Sequence, residues 1–311
     1  MSLPFLQNYL GLSLGLQTMQ ASGSGGNRLA LLAGSTTVNA YTNNFEIYDI
    51  GADTWDSSNT LTTARGGSGS AGSTTDAFNF GGQSNTYTDI INKINWSTKA
   101  ETTGAQTIGV GNWGSSMATA PTFAIGMSFY SASYYTTSKS YAYSNMAETA
   151  RTAMTYKHVF SSAFGNNTQS YAINGNNTGA GYLEKYIHSS NTVSTVATPS
   201  YSASLGSGGH SGNSTTGVSI STVSSVSRYS TYSISGNTWT ANTTSSDVTY
   251  KDGASTCSTA TNYYVFGKST GTSCEKYNYS TNTFTSIASH GTHRNSGPGG
   301  TASELNAGVN T

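Results

Sequence analysis

Five histidines, two cysteines and a scatter of carboxylates are the side chains of this 311-residue chain with the most chemistry to offer. His158, His188, His210, His290 and His293 show no paired spacing of the kind metal ligands adopt, so they are read as loop or strand-end residues. A sialidase would carry S-x-D-x-G-x-T-W boxes and clustered arginines. Asp49-Ile50-Gly51-Ala52-Asp53-Thr54-Trp55 is one residue too long for that box, and arginine is scarce. Two carboxylates suffice for glycoside hydrolysis, but most acidic residues here fall on one recurring strand position. The exceptions, Glu101 and Glu148, are equivalent to each other and point to a shared surface feature. Cys257 and Cys274 are expected at opposite ends of one sheet, too far apart for a disulfide. No catalytic residue, metal site or cofactor is expected. A polysaccharide-degrading hydrolase is the competing class.

The elements that position these residues follow from an internal period. Its anchors are Tyr48, Ile94, Tyr141, Tyr186, Tyr232 and Tyr277, spaced 46, 47, 45, 46 and 45 residues apart. Upstream of each lies an apolar run, usually ending at Gly: Leu29 to Gly34, Ala77 to Gly82, Phe123 to Gly126, Tyr171 to Gly175 and Tyr263 to Gly267, with a weaker Val218-Ser219-Ile220 in the fifth copy. Seven residues past the anchor stands Trp55, Val193, Trp239 or Phe284. Glu101 and Glu148 take that place in copies two and three, which predicts shorter or altered outer strands there.

A period near 46 residues, rich in Gly and β-branched residues and without helical spacing, predicts one radial four-stranded sheet per repeat. Charged residues make up only 8% of the chain, yet aromatics reach 11%, enough to build a core rather than a disordered chain. Near the C-terminus, Thr292-His293-Arg294 stands at the same offset from Tyr277 as Thr63-Ala64-Arg65 from Tyr48. The first repeat, however, begins at its second strand near Arg28. A C-terminal strand is therefore expected to complete the first sheet and close the ring.

Thr63-Ala64-Arg65, the run Gly69 to Gly82, and Glu275-Lys276-Tyr277-Asn278 followed by Thr283-Phe284 carry a resemblance. They resemble the kelch-like repeats, with a T-A-R, G-A-G, F-G-G and E-Y-D pattern, found in structural proteins of marine tailed bacteriophages. The resemblance covers Arg28 to Thr301; blade five lacks the Gly pair, and blades two and three lack the outer aromatic. It implies a kelch-like β-propeller, which the six anchors and the C-terminal offset make an all-β, six-bladed kelch-like β-propeller with a C-terminal strand closing blade one; a short N-terminal docking segment, outside the resemblance, is expected ahead of it. It further implies a virion structural protein, either a tail-fibre component or a head decoration, made in the host cytoplasm and carried in many copies on the particle surface. A purely structural decoration or spacer is the remaining alternative. No catalytic residues come with the resemblance.

The expected organisation is a docking segment and Gly-rich hinge over 1–27, the propeller over 28–303 and a tail over 304–311. Phe5, Tyr9, Leu12, Leu16 and Met19 would form a helical stripe, while Leu10, Leu12, Leu14 and Leu16 alternate as in a strand. With Leu3, these apolar residues call for burial against something, either the chain's own propeller or, the preferred reading, another virion protein. Gln7, Asn8, Gly11, Ser13 and Gly15 interrupt the apolar stretch, so no membrane span is expected. It lacks a basic leader, so secretory export is not expected either. Thirteen basic residues balance thirteen acidic ones, which argues against a nucleic-acid partner. Tyrosines at Phe129-Tyr130, Tyr134-Tyr135 and Tyr141 to Tyr143 suit inter-blade packing more than stacking on a host-surface glycan or protein.

Overall fold

The computed structural model describes residues 29–37, 40–84, 86–112, 116–131, 133–158, 163–173, 182–196, 210–223, 226–242, 255–268, 271–291 and 300–302. The docking residues Leu3, Phe5, Tyr9, Leu12, Leu16 and Met19, the tail 304–311 and His293 lie outside the described residues.

Among the described residues every assigned element is a strand, and the strands form six four-stranded antiparallel sheets in a β-propeller arrangement. Sheet one joins Gly300–Ala302, Leu29–Thr37, Ala40–Asp49 and Thr54–Arg65. Sheet two joins Gly69–Gly72, Asp76–Phe80, Thr88–Asn95 and Glu101–Asn112, and sheet three Met117–Thr119, Phe123–Tyr130, Tyr134–Ala142 and Glu148–Arg151. Sheet four joins Ala163–Gly165, Gln169–Ile173, Leu183–Ile187 and Thr192–Thr195. Sheet five joins His210–Gly212, Thr216–Val223, Val226–Ser233 and Thr238–Asn242, and sheet six Ser255–Ser258, Asn262–Lys268, Gly271–Asn278 and Thr283–Ile287. The first strand of each sheet touches the first strand of the next, from sheet one round to sheet six and back.

Five of these sheets are blades cut from four consecutive strands, whereas sheet one is composite. The six-blade expectation is therefore corrected to five blades of consecutive strands and one sheet assembled from both ends of the chain. Thr301 pairs with Leu31, which puts the C-terminal strand where closure requires it. At the outer rim the same junction is tied by Trp55, whose indole N–H donates to Ala288 O (2.8 Å), and by Asp53 Oδ1, which accepts from Ala288 N (2.8 Å).

The repeat anchors owe their spacing to one hairpin. Each anchor pairs with the residue seven positions on: Tyr48 with Trp55, Ile94 with Glu101, Tyr141 with Glu148, Tyr186 with Val193, Tyr232 with Trp239 and Tyr277 with Phe284. The residue five positions on has positive φ in all six copies: Asp53, Lys99, Met146, Asn191, Asn237 and Asn282, at +50° to +57°. Asn and Asp tolerate that left-handed geometry best among residues with a side chain. In four copies the anchor tyrosine holds that residue, its hydroxyl donating at 2.7–2.9 Å to Oδ1 of Asp53, Asn191, Asn237 or Asn282.

The anchor ring also builds the core. A buried apolar cluster fills each junction between neighbouring sheets, and each anchor sits against the preceding sheet: Ile94 with Phe45, Ile47 and Leu61, Tyr232 with Phe164 and Tyr171, Tyr48 with Tyr264 and Phe266. The same pattern places Phe129 and Tyr141 among the buried residues, so those aromatics pack.

Three local expectations need refining or correcting. Of the two outer strands expected to be shorter or altered, that of sheet two is altered by being long, with shifts of register, rather than short: Glu101–Asn112 has 12 residues, as does Thr54–Arg65, whereas that of sheet three, Glu148–Arg151, has 4. Glu101 is accommodated because Thr62 N–H (2.8 Å) and Thr62 Oγ1 (3.1 Å) of sheet one donate to the carboxylate. Nor is the fifth copy's second strand weak; it runs eight residues, Thr216–Val223. Finally, Cys257 pairs with Tyr264 and Cys274 with Phe266, so the two thiols lie at similar levels of sheet six. The second strand separates them. Two strand spacings, about 10 Å, keep these buried thiols from forming a disulfide.

Asn237→Val removes the Tyr232 contact and forces a β-branched residue to φ near +50°. It is expected to destabilise by about 2 kcal/mol, read from the urea midpoint, whereas Asn237→Gly should cost about 1 kcal/mol or less.

Candidate binding face

In an antiparallel four-stranded blade, the loops joining second to third strands emerge on the same side as the segments that enter the next sheet. Six tyrosines collect on that side. Tyr41 is second in the third strand of sheet one, and Tyr87 just precedes the third strand of sheet two. Tyr130 ends the second strand of sheet three, and Tyr135 lies at the start of its third. Tyr156 is on the segment entering sheet four, and Tyr182 immediately precedes the third strand of that sheet.

Two contacts order this face. Tyr87 and Tyr130 meet edge to face, ring centres 5.6 Å apart and planes at 89°. The hydrogen bond between their phenols pushes the Tyr87 hydroxyl above its ordinary pKa, with partial burial adding to it. Tyr156 and Tyr182 stack face to face, 3.7 Å between centres and 4° between planes. Tyr135 is the one large aromatic among the described residues that is clearly exposed, at 40%. The expectation that tyrosines pack thus holds for Tyr141 and fails for Tyr135.

Tyr156 is held from below by a buried polar clasp. Glu184, fully buried on the third strand of sheet four, accepts from Thr155 N (3.0 Å) and Tyr156 N (2.9 Å), and meets His158 Nε2 at 2.8 Å. The His158 N–H donates to Ser128 Oγ (3.0 Å), the Ser128 hydroxyl reaches Tyr156 O (3.4 Å), and the Ser116 hydroxyl donates to His158 O. Ser128 is buried at φ +85°, a conformation that a residue with a Cβ holds only when its surroundings over-determine it. Burial alone would raise the Glu184 carboxyl. The hydrogen bonds from His158, Tyr156 and Thr155 outweigh it and hold that group below the ordinary glutamate range.

Sheet one repeats the clasp: buried Glu46 accepts from Gly291 N (3.2 Å) and lies 3.6 Å from His290 Nδ1. His158 and His290 are therefore buried partners of strand glutamates, a role that spacing alone did not reveal. The available clue was that Glu46 and Glu184 both stand two residues before an anchor. His188 follows the third strand of sheet four, its Nε2 2.8 Å from Ser170 Oγ, and burial lowers its pKa. Among the described residues no group of three or more His, Cys, Asp or Glu side chains is placed to hold a metal ion. Nor is any helix long and apolar enough to cross a membrane.

No protein-family model matches this sequence, and no curated protein does so either.

The clasp makes stability near Tyr156 sensitive to acid. The folded Glu184 carboxyl titrates below its unfolded value, so its contribution is complete above the ordinary glutamate range, about 4.3, and is lost as pH falls through the folded value. Glu184→Gln should destabilise by about 2 kcal/mol at pH 7 and flatten the stability profile from about pH 5 downward, measured by thermal unfolding across pH.

Proposed function

We propose that this chain is a non-enzymatic structural protein of a bacteriophage virion, displayed outward as a tail-fibre component or decoration, and that its phenol-lined face contacts the host surface. The observation that supports this most is the partition of the tyrosines. The anchors are buried between sheets, whereas Tyr87, Tyr130, Tyr135, Tyr156 and Tyr182 gather at one end of the fold with their rings partly accessible. A phenol offers both an apolar face and a polar tip, which suits a receptor that is itself amphipathic, such as a surface glycan or glycoprotein. The virion assignment rests on the kelch-like T-A-R, F-G-G and E-Y-D signature of the repeat.

The composite sheet counts in this proposal as a sixth blade, so that the ring is closed and no first strand is left as an open edge. Leu3, Phe5, Tyr9, Leu12, Leu16 and Met19 attach the propeller to other virion proteins. Many displayed copies turn weak individual contacts into firm attachment through avidity.

Binding of the full chain to immobilised envelope polysaccharides from a panel of marine bacteria tests the reading. At least one envelope should retain the protein, and Tyr156→Ala combined with Tyr182→Ala should weaken that retention about tenfold or more, the loss of one or two stacking contacts. Retention unaffected by the double substitution removes the face from the proposal, and shortening of the polysaccharide on incubation replaces it with a hydrolase.

A further inference from the structure

Arg65 ends the outer strand of sheet one, and its side chain is fully buried between sheets one and two. Its Nη1 donates to the carbonyls of Gly81 (2.9 Å) and Ile90 (3.2 Å). Gly82, at φ +112°, admits it closely, since a Cβ there would stand 3.0 Å from Arg65 Cδ. The rest of the guanidinium finds nothing: Nε and Nη2 have no protein partner. The Ser68 hydroxyl, both ends of the Asn79 amide and Asn92 Oδ1, all buried, have none either.

These groups share one place. Asn79 and Asn92, directly paired, project to one face of the sheet and stand two residues along from the carbonyls of Gly81 and Ile90 that Arg65 holds. That face carries Ala77 and Ile94 against sheet one. Ser70, Asn79 and Asn92 are paired in register across the sheet, forming a polar row beside the guanidinium.

Sheet four shows what the row ordinarily contains. Arg65 and His158 occupy the same repeat position, 17 residues past Tyr48 and Tyr141 respectively. Glu184 and Asn92 likewise stand two residues before their own anchors. His158 therefore meets a carboxylate at 2.8 Å, whereas Arg65 faces an amide. Glu101 is near enough for its field to favour the guanidinium charge, against the burial that pushes the Arg65 pKa down to about 10. Its oxygens, however, are held by Thr62 and by Asn92 Nδ2, and none of the ion pairs among the described residues includes Arg65.

The unpartnered groups are dominated by donors: Arg65 Nε and Nη2, Asn79 Nδ2 and the Ser68 hydroxyl, against two amide oxygens. Water would accept from those donors but would bring as many hydrogens of its own. We infer that this row binds a small monovalent anion, chloride in ordinary media, in the place that the Glu184 carboxylate occupies in sheet four. The ion supplies direct contact to the guanidinium, which Glu101, with its oxygens engaged by Thr62 and Asn92, supplies only through its field. It also cements sheet one, the composite sheet, to the first blade of consecutive strands. This inference does not depend on what the tyrosine face binds.

Crystals of the full chain grown in sodium bromide test it directly: diffraction at the bromine edge should give an anomalous peak within hydrogen-bonding reach of Arg65 Nε and Nη2. No peak there overturns the inference. In solution, Tm in sodium chloride should exceed that in sodium gluconate of equal ionic strength by about 2–4 °C. Asn92→Glu, which supplies the carboxylate from within, should abolish that difference. Equal Tm values in the two salts for the unsubstituted chain, or an undiminished difference in Asn92→Glu, would each overturn the assignment.

Discussion

The fold depends on one hairpin made six times. The third strand of each sheet carries an anchor that must satisfy two demands at once: its body packs on the preceding sheet, and in four copies its hydroxyl holds a left-handed residue in the turn that follows. Those demands fix where the fourth strand starts and which residue faces the anchor, and so fix the register of the sheet's outer half. The aromatic pairs Tyr48–Trp55, Tyr232–Trp239 and Tyr277–Phe284, with ring centres 5.0–5.2 Å apart, are consequences of that register. Because the anchor reaches back to the previous sheet, each hairpin stabilises a junction as well as its own blade. The arrangement then closes only if the last junction, Tyr48 on Tyr264 and Phe266, is made like the others.

Between the sheets the repeat also buries polar side chains, and here the copies diverge. The residue two positions before the anchor is Glu46, Asn92, Lys139, Glu184, Ser230 or Glu275. Each copy that keeps a charge must answer it locally, since an isolated charge in that interface would be very costly. Glu184 is answered by His158 and two backbone amides, and Glu46 by Gly291 N–H with His290 close by. Lys139 is answered by Glu148 (2.9 Å), the glutamate that stands in for the outer aromatic. The two departures from the repeat consensus, Glu101 and Glu148, thus belong to the same electrostatic layer as the buried clasps. Apolar anchors give the sheets their common shape, and the polar row gives each junction its own chemistry.

How much of this could be read from the sequence follows from the same division. The anchors were legible because they obey a period, and the apolar second strands and the C-terminal closing strand followed from counting. The composite nature of sheet one was visible in the offset of Thr292-His293-Arg294, whereas its standing beside five blades of consecutive strands needed the pairing itself. The clasps were not legible, because His158 and Glu184 are 26 residues apart and belong to different structural units. No spacing rule links a loop entering a sheet to that sheet's third strand until the sheet exists. Strand length failed for a related reason: an outer strand is prolonged by neighbours such as Thr62, which lie in another repeat. The tyrosine runs were divided by strand geometry, since Tyr135 and Tyr141 share a strand but only Tyr141 lies where two sheets meet.

The two ends of such a ring need not be alike. At one end the connections between third and fourth strands are the anchored turns, short and close to identical in all six copies, and they offer a partner little that varies. At the other end the second-to-third connections and the segments entering each sheet differ in length and composition. The phenols lie there, and there Ser128 is held in a strained conformation beneath Tyr156. Rigid repetition at one end frees the opposite end to carry variation without endangering closure, because the anchored turns lie away from it. The clasp at Glu184 then acts as the joint between the two: it is seated on a repeated strand position, yet what it fixes is the backbone of a residue on the variable face. The host contact proposed for this chain is therefore best sought where the repeat's own constraints are weakest but its buried polar layer still holds the backbone in place.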